Sequence, residues 1–399
     1  MALGGHCFAA APDASKLGRC PVRRLAFAHS CARIDAMASM RDVEWEACLL
    51  EPQRDPEVER RLRRRFGRVG ASLKYFSDCP WLSEGLAGLN AQLSTTVRLE
   101  HGLAEMVGAL VSYDNACRYC FAATRALLRL LGYSEQRIRA LEQDLLTAEF
   151  PPTERAVFNY ARRISRANPL PTPADAEPLR AAGFDDLTIK ELAGYVTLTV
   201  FHNRLSTLAA LPPQHFEALP DRWYMRLLRP LIAAFIARTR RTAAETRLRD
   251  DQRQGPFAPV VCALDGLPLA GELRALLDAL WASSVLPVRA KALVFGVVAR
   301  GVGCAASEQE AVRLALAAGM DRADVTHALA HLSTPALAPA EAAVLPFARE
   351  TIWYQPAVIQ RRSRAVRDML ARPEYVELLA TAAAANMICR LCPAVVDSR

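Results

Sequence analysis

From Val58 onward, apolar residues recur at three- and four-residue spacing along nearly the whole chain, and alternating β-branched runs are hard to find. Between Glu154 and Ile164, for example, Val157, Tyr160, Ala161 and Ile164 make one apolar stripe, while Arg155, Arg162 and Arg163 face away from it. The pattern predicts an all-α fold.

Self-comparison shows a long-period repeat. Cys117 and Cys304 are 187 residues apart, and the same offset superposes Gly132 on Gly319, Glu154 on Glu341, and Ala161-Arg162 on Ala348-Arg349. A one-residue slip then aligns Arg204-Leu205 with Arg390-Leu391. Two copies of one helical unit explain this most simply, over residues 40–236 and 256–399. Residues 237–255, rich in Arg, Thr and Asp and closed by Gly255-Pro256, are expected to link them. Because a helical layer needs a partner over its apolar face, the two copies are expected to pack as a pseudo-dimer within one chain.

With 399 residues, 52% of them hydrophobic, the chain can bury a full core. Its net charge of +8 comes mainly from arginines spread along the sequence. The densest basic run, Arg60 to Arg65, follows Glu57 and Glu59 and has no interleaved aromatics to stack on bases, so it reads as a solvated helix face rather than a nucleic-acid patch. No uninterrupted apolar segment approaches the roughly 18 residues that a membrane helix requires; Leu227–Ala237 and Ala292–Ala299 are too short or broken. Most of the eleven cysteines, such as Cys48, Cys79 and Cys262, sit singly among apolar residues. With no signal peptide visible, the expected compartment is the reducing cytoplasm. Residues 1–39 are Ala- and Arg-rich without helical periodicity, and they are expected to form a disordered arm or to precede a true start at Met37 or Met40.

The candidate chemistry lies in the first copy, at Cys117-Arg-Tyr-Cys120. Asp114 and Asn115 precede the pair as good N-cap residues, which predicts that both cysteines fall in the first turn of a helix. Free N–H groups and the positive end of the dipole favour a thiolate there, and sulfurs three residues apart can close a disulfide. Twelve residues before Cys117, Glu105 sits in an apolar helix; a desolvated carboxyl there could take a thiol proton and return it to a leaving group, or could simply reach solvent at the helix edge. Tyr119, between the cysteines, could donate to a thiolate or to a peroxide oxygen, or could pack. Two sulfurs without further ligands fall short of a zinc site, and no cofactor is implied. The second copy looks chemically empty, with Ser307, Ala311, Ala306 and Ala292 at the positions of Cys120, Thr124, Tyr119 and Glu105, and Cys304 alone. The later pair Cys389 and Cys392, near the end of a helix, reads as packing.

The series Glu105, Cys117, Cys120 and position 124 resembles the Glu-x(11)-Cys-x-x-Cys-x-x-x-His motif of the alkylhydroperoxidase D-like, or carboxymuconolactone decarboxylase, family. Ser112, Asn115, Tyr119, Thr153-Glu-Arg-Ala, Leu179-Arg-Ala-Ala-Gly-Phe-Asp-Asp and Asn203-Arg204 are similar to its peroxidase-related branch. The resemblance covers Trp81 to Leu211 well, and Pro259 to Pro393 weakly through the repeat. It implies a helical homo-oligomer running a thiol peroxidase cycle, with Cys120 as attacking thiolate, Cys117 as resolving thiol and Glu105 as proton relay. The implied substrate is a small peroxide, and the implied reductant an external thiol or protein dithiol. The departure is Thr124, which stands where the family has His; a hydroxyl cannot replace imidazole as a base near neutrality. Thr124 could instead position a water, and His101 or His202 are the candidates to compensate. The alternative reading is a degenerate, non-catalytic member serving as a helical binding or assembly scaffold. Lactone decarboxylation would leave the cysteine pair without a role.

Overall fold

Side-chain caps and prolines cut the apolar pattern into helices. Asp55 accepts from the N–H groups of Glu57 and Val58, Glu100 from Gly102 and Leu103, and Asp185 from Thr188, each supplying an acceptor to the open N-terminus of a helix. Pro56 follows the Asp55 cap, and Pro80, Pro152, Pro268, Pro339 and Pro356 open others, at the position where a missing N–H costs nothing. A computed structural model describes residues 40–67, 70–143, 148–213, 223–239 and 241–396. Residues 1–39, which carry the expectation of an arm or an earlier start, lie outside the described residues.

The described residues are all-α apart from one two-residue strand pair. A first run comprises α1 (Pro56–Phe66), α2 (Pro80–Gln92), α3 (His101–Asp114), α4 (Arg118–Leu131), α5 (Glu135–Gln143), α6 (Pro152–Arg166), α7 (Glu177–Ala181) and α8 (Asp186–Leu208), followed by α9 (Trp223–Thr239). A second run comprises α10 (Ala258–Ala263), α11 (Pro268–Ala282), α12 (Val288–Val302), α13 (Ala305–Ala317), α14 (Arg322–His331), α15 (Pro339–Glu350), α16 (Pro356–Arg367) and α17 (Arg372–Val395). Helices α3, α4, α5 and α6 start at residues 101, 118, 135 and 152, and α12, α13, α14 and α15 start at 288, 305, 322 and 339. Each second-run start therefore falls at the offset that separates Cys304 from Cys117. Within the first run α3 packs on α4, α6 and α8; within the second α12 packs on α13, α15 and α17. The runs meet through like helices, α8 along α17 and α2 along α11, and one hydrophobic cluster takes in buried residues of both.

The segment expected as a linker is partly helix, because α9 runs on to Thr239, and the remainder is tied down. Arg241-Thr242 pairs in parallel with Thr95-Thr96, Thr246 bridges to Gly266, and Leu248 N–H donates to Asp265 at 2.8 Å. The basic run lies on α1 as expected, with Arg60, Arg61, Arg63, Arg64 and Arg65 exposed and Val58 and Leu62 buried.

One expectation needs correction. Helix α17 is long and apolar enough to cross a membrane, with a mean hydropathy of 1.5 over its best window, but 89% of that window is buried inside the protein. Glu377 and Arg390 interrupt its apolar letters and hid its length in the sequence. Both are themselves fully buried. A core helix of this kind is wrapped by protein on every side, so it is hydrophobic all round.

Glu377 is compensated by Lys291 of α12, the two side chains being fully buried and 3.1 Å apart. Lys291 also donates to the carbonyls of Leu280 and Ser283, at 2.7 and 2.6 Å. Trp81 Nε1 of α2 and Leu286 N–H donate to the same carboxylate. This pair therefore joins α2, α11, α12 and α17 at one point. Removing one partner leaves a buried charge, so Lys291→Met is expected to cost about 3–5 kcal/mol in urea denaturation, with partial recovery in Lys291→Met/Glu377→Gln.

Candidate active site

The turn between α3 and α4 is pinned from three helices. Asp114, the last residue of α3, holds Arg162 and Arg166 of α6 at 3.1 and 2.9 Å. Asn115 donates to Val111 O and to Ser165 Oγ, and its Oδ1 accepts from Arg204 of α8 at 2.6 Å. Ser112 Oγ donates to Asn203 Oδ1 at 3.2 Å. Ala116 takes a left-handed φ of 48° to turn the chain, and Cys117 follows as the N-cap of α4. Asp114 and Asn115 thus close the preceding helix instead of capping the next. They are as well suited to holding a helix end through ion pairs and amide hydrogen bonds as to capping, and here the arginines of α6 and α8 decide between the two.

Cys117 does what an N-cap oxygen ordinarily does: its sulfur accepts from the Cys120 N–H at 3.4 Å. Cys117 is fully buried, whereas Cys120 keeps part of its surface exposed and lies 3.8 Å from Ser206 Oγ of α8. Burial by itself raises the Cys117 thiol. The S–H and N–H of Cys120, the Thr207 hydroxyl and the positive charge of Arg204 outweigh that and hold it below its usual range. Cys120 moves the other way: donating its S–H to Cys117 raises it well above the usual range, and burial and the neighbouring negative charge add to this. The acidic sulfur of the pair is Cys117, and the accessible one is Cys120.

Arg204 is 3% exposed and reaches across to the second run. It donates to Ile352 O at 2.8 Å and to the Tyr354 hydroxyl at 2.9 Å, and its guanidinium stacks 4.5 Å from the centre of the Tyr354 ring. Arg390 of α17 donates to the same Ile352 carbonyl at 2.9 Å. Tyr354, Thr207 and Ser206 therefore belong to the surroundings of the pair, and sequence reasoning passed them over. The only signals pointing to them were their closeness to Arg204-Leu205 and the alignment of that dipeptide with Arg390-Leu391.

The other candidates fall as follows. Thr124 donates its hydroxyl to the carbonyls of Cys120 and Phe121, so it is tied into its own helix. Its methyl faces the Gly108 position of α3, where the Tyr195 hydroxyl also lies. Glu105 is 8% exposed, in the apolar middle of α3 three residues before Gly108. Tyr119 is buried within the core cluster. His101 begins α3 beside Thr96, at the end of the helix remote from the cysteines. His202 is pressed edge-on to Phe201 with Nε2 enclosed and unpartnered, and burial pushes it down to about 4. It is a weak base at neutrality. Among the described residues no group of three or more His, Cys, Asp or Glu side chains is placed to hold a metal ion.

In the second run Cys304 is the N-cap of α13, its Sγ lies 3.2 Å from Ser307 Oγ, and Cys392 of α17 is among the groups that act on it. Cys389 and Cys392 are buried in the core, as the packing reading expects. Cys392 comes to α13 because α17 packs on that helix, which spacing along the chain cannot show.

Removing the Arg204 charge is expected to raise the Cys117 thiol. In Arg204→Met the Cys117 titration should move to higher pH by up to about one unit, followed through the shift of its labelled Cβ by NMR; Tyr354→Phe, which keeps the charge, should move it less.

No family model matches the chain, and no curated protein matches it. Among solved structures it is similar to an alkylhydroperoxidase AhpD core, an uncharacterized peroxidase-related protein from Ralstonia eutropha JMP134, at 22% identity over 44% of this chain and 98% of that one, with a TM-score of 0.39. It is also similar to an uncharacterized peroxidase-related protein from Silicibacter sp. TM1040, at 24% identity over 44% of this chain and 96% of that one, with a TM-score of 0.37.

Proposed function

We propose that this chain is a thiol peroxidase of the alkylhydroperoxidase D-like kind, cycling Cys117 and Cys120 between dithiol and disulfide. The observation that carries the reading is a partly exposed cysteine, Cys120, whose backbone N–H donates to the buried Cys117 sulfur at a helix N-terminus. Residues 40–236 and 256–399 would be two copies of one unit packed as a pseudo-dimer around the 237–255 linker, a reading supported by the recurring helix starts and the like-with-like contacts. The eight described cysteines are free thiols, which suits a reducing cytoplasm.

In this reading Cys117 takes over the work of the missing His. As a small hydroperoxide meets Cys120, the S–H proton passes to the Cys117 thiolate, and the Cys120 sulfur takes the terminal oxygen. This leaves a sulfenic acid on Cys120 and an alkoxide that the Cys117 thiol protonates. Cys117 then displaces hydroxide from the Cys120 sulfur, and solvent supplies the last proton. Dithiol and hydroperoxide become disulfide, alcohol and water, and an external thiol or protein dithiol resets the pair by exchange. Glu105, buried in α3, keeps the proton-relay role that the resemblance implies. A scaffold without catalysis is the second reading, favoured by the Thr124 hydroxyl being spent on its own helix.

Self-association is part of the proposal. Trp223, Leu227, Leu231 and Phe235 form one stripe on α9, each 68–73% exposed, and a second copy of this chain is the occupant we assign to it. Leu227→Glu/Leu231→Glu is expected to lower the mass measured by light scattering to that of one chain, and an unchanged mass would remove the stripe from the interface.

The chemistry has its own test. Trypsin cuts at Arg118, between the two cysteines, so mild peroxide followed by alkylation and non-reducing peptide mapping should yield a Cys117–Cys120 linked pair. A pair that stays reduced would favour the scaffold. Cys120→Ser and Cys117→Ala should each abolish peroxide consumption. Thr124→His should raise it by well under the 10²–10⁴-fold that restoring a missing general base provides.

A further inference from the structure

The four positions Cys117, Cys120, Asn203 and Ser206 correspond, through the two offsets of the repeat, to Cys304, Ser307, Cys389 and Cys392. In the first run position 120 of α4 faces position 206 of α8, at 3.8 Å between Cys120 Sγ and Ser206 Oγ. In the second run the serine and the cysteine are the other way round: Ser307 stands on α13, 3.2 Å from Cys304 at its N-cap, and Cys392 stands on α17, which packs on α13 and brings Cys392 to bear on Cys304. The dithiol of the first run is held within one helix. That of the second would be assembled from two.

We infer that Cys304 and Cys392 form a second redox dithiol, closing a disulfide between α13 and α17 when a small hydroperoxide oxidises Cys304. The neighbours favour this chemistry. Cys392 donates its S–H to Cys304, which with the Ser307 hydroxyl pushes the Cys304 thiol down to about 6 against the opposing effect of burial. Cys392 is raised by that same donation, and Cys389 is raised first by burial, which leaves Cys304 as the thiolate of the three. The N-terminus of α13 adds its dipole.

The step balances. The Cys304 thiolate takes the terminal oxygen of the peroxide to become a sulfenic acid, and the peroxide leaves as alcohol or water after protonation by Cys392. The Cys392 thiolate then displaces hydroxide, which solvent protonates, and the S–S bond forms. Two electrons pass from the two sulfurs to the peroxide, and two equivalents of a small thiol return them by exchange, leaving as their own disulfide. Cys304 and Cys392 are 4% and 5% exposed, so only a small oxidant and a small reductant can serve this pair. The inference does not depend on turnover at Cys117 and Cys120.

The full chain tests it directly. Trypsin places Cys304 in the peptide 301–313 and cuts after Arg390, which separates Cys389 from Cys392. After hydrogen peroxide and alkylation, non-reducing mapping should give the 301–313 peptide linked to the peptide beginning at Leu391, both in the native chain and in Cys117→Ser/Cys120→Ser. The added Cys392→Ser should leave a Cys304 sulfenic acid that dimedone captures, and Cys389→Ser should leave the link intact. The inference is overturned if Cys304 and Cys392 are both recovered alkylated, or if the link joins Cys389 to either of them. Since the Cys117–Cys120 link appears in separate peptides of the native chain, failure of one pair is read independently of the other.

Discussion

One carbonyl oxygen organises the middle of this protein. Ile352 O accepts a guanidinium from α8, that of Arg204, and another from α17, that of Arg390, and both arginines are buried. Among the described residues neither has a carboxylate within ion-pair distance. Two like charges drawn together inside a core are expensive unless something compensates. Arg390 shows the strain by falling to about 9, from burial first and from Arg204 second. The compensation is distributed over carbonyl and amide oxygens and the Tyr354 ring. The same Arg204 charge lowers the Cys117 thiol, so the electrostatics of the contact between the two long helices reach the first-run cysteine.

That constraint also explains why the turn before Cys117 is so heavily tied. Arg204 can hold Tyr354 and Ile352 only if Asn115 holds Arg204, and Asn115 in turn donates to α3 and α6. The sulfur, the arginine and a tyrosine some 150 residues further along are one connected unit. The buried pair of Lys291 and Glu377 plays the corresponding part at the opposite contact, where α2 and α11 meet the same long helix.

Much of the fold was legible in the sequence, because a helical stripe such as Val157, Tyr160, Ala161 and Ile164 needs only local spacing to be recognised, and all four are buried in α6. The repeat offset was legible for a similar reason, since a one-dimensional comparison finds it. The cysteine pair, Asn115 and Arg204 were picked out individually. What was not legible is every feature that depends on one helix lying on another. Tyr354 at Arg204, Thr207 at Cys117 and Cys392 at Cys304 are brought in by packing across long stretches of chain. Asp114 and Asn115 show a subtler failure, because the same short polar side chains serve either side of a helix break, and only the arginines waiting on α6 and α8 settle which. In α17 two buried charges broke an apolar run that three-dimensional packing keeps whole.

The contact of α8 with α17 has a further consequence. In an assembly of identical chains a residue changed at one position changes at every symmetry-related position, so a site on one side cannot drift without its twin. Here the two helices facing each other are encoded separately. A residue can change at 124 without altering 311, and positions 120 and 206 hold a cysteine and a serine where 307 and 392 hold a serine and a cysteine. Two helices encoded separately can therefore lie along each other while carrying different side chains at corresponding positions.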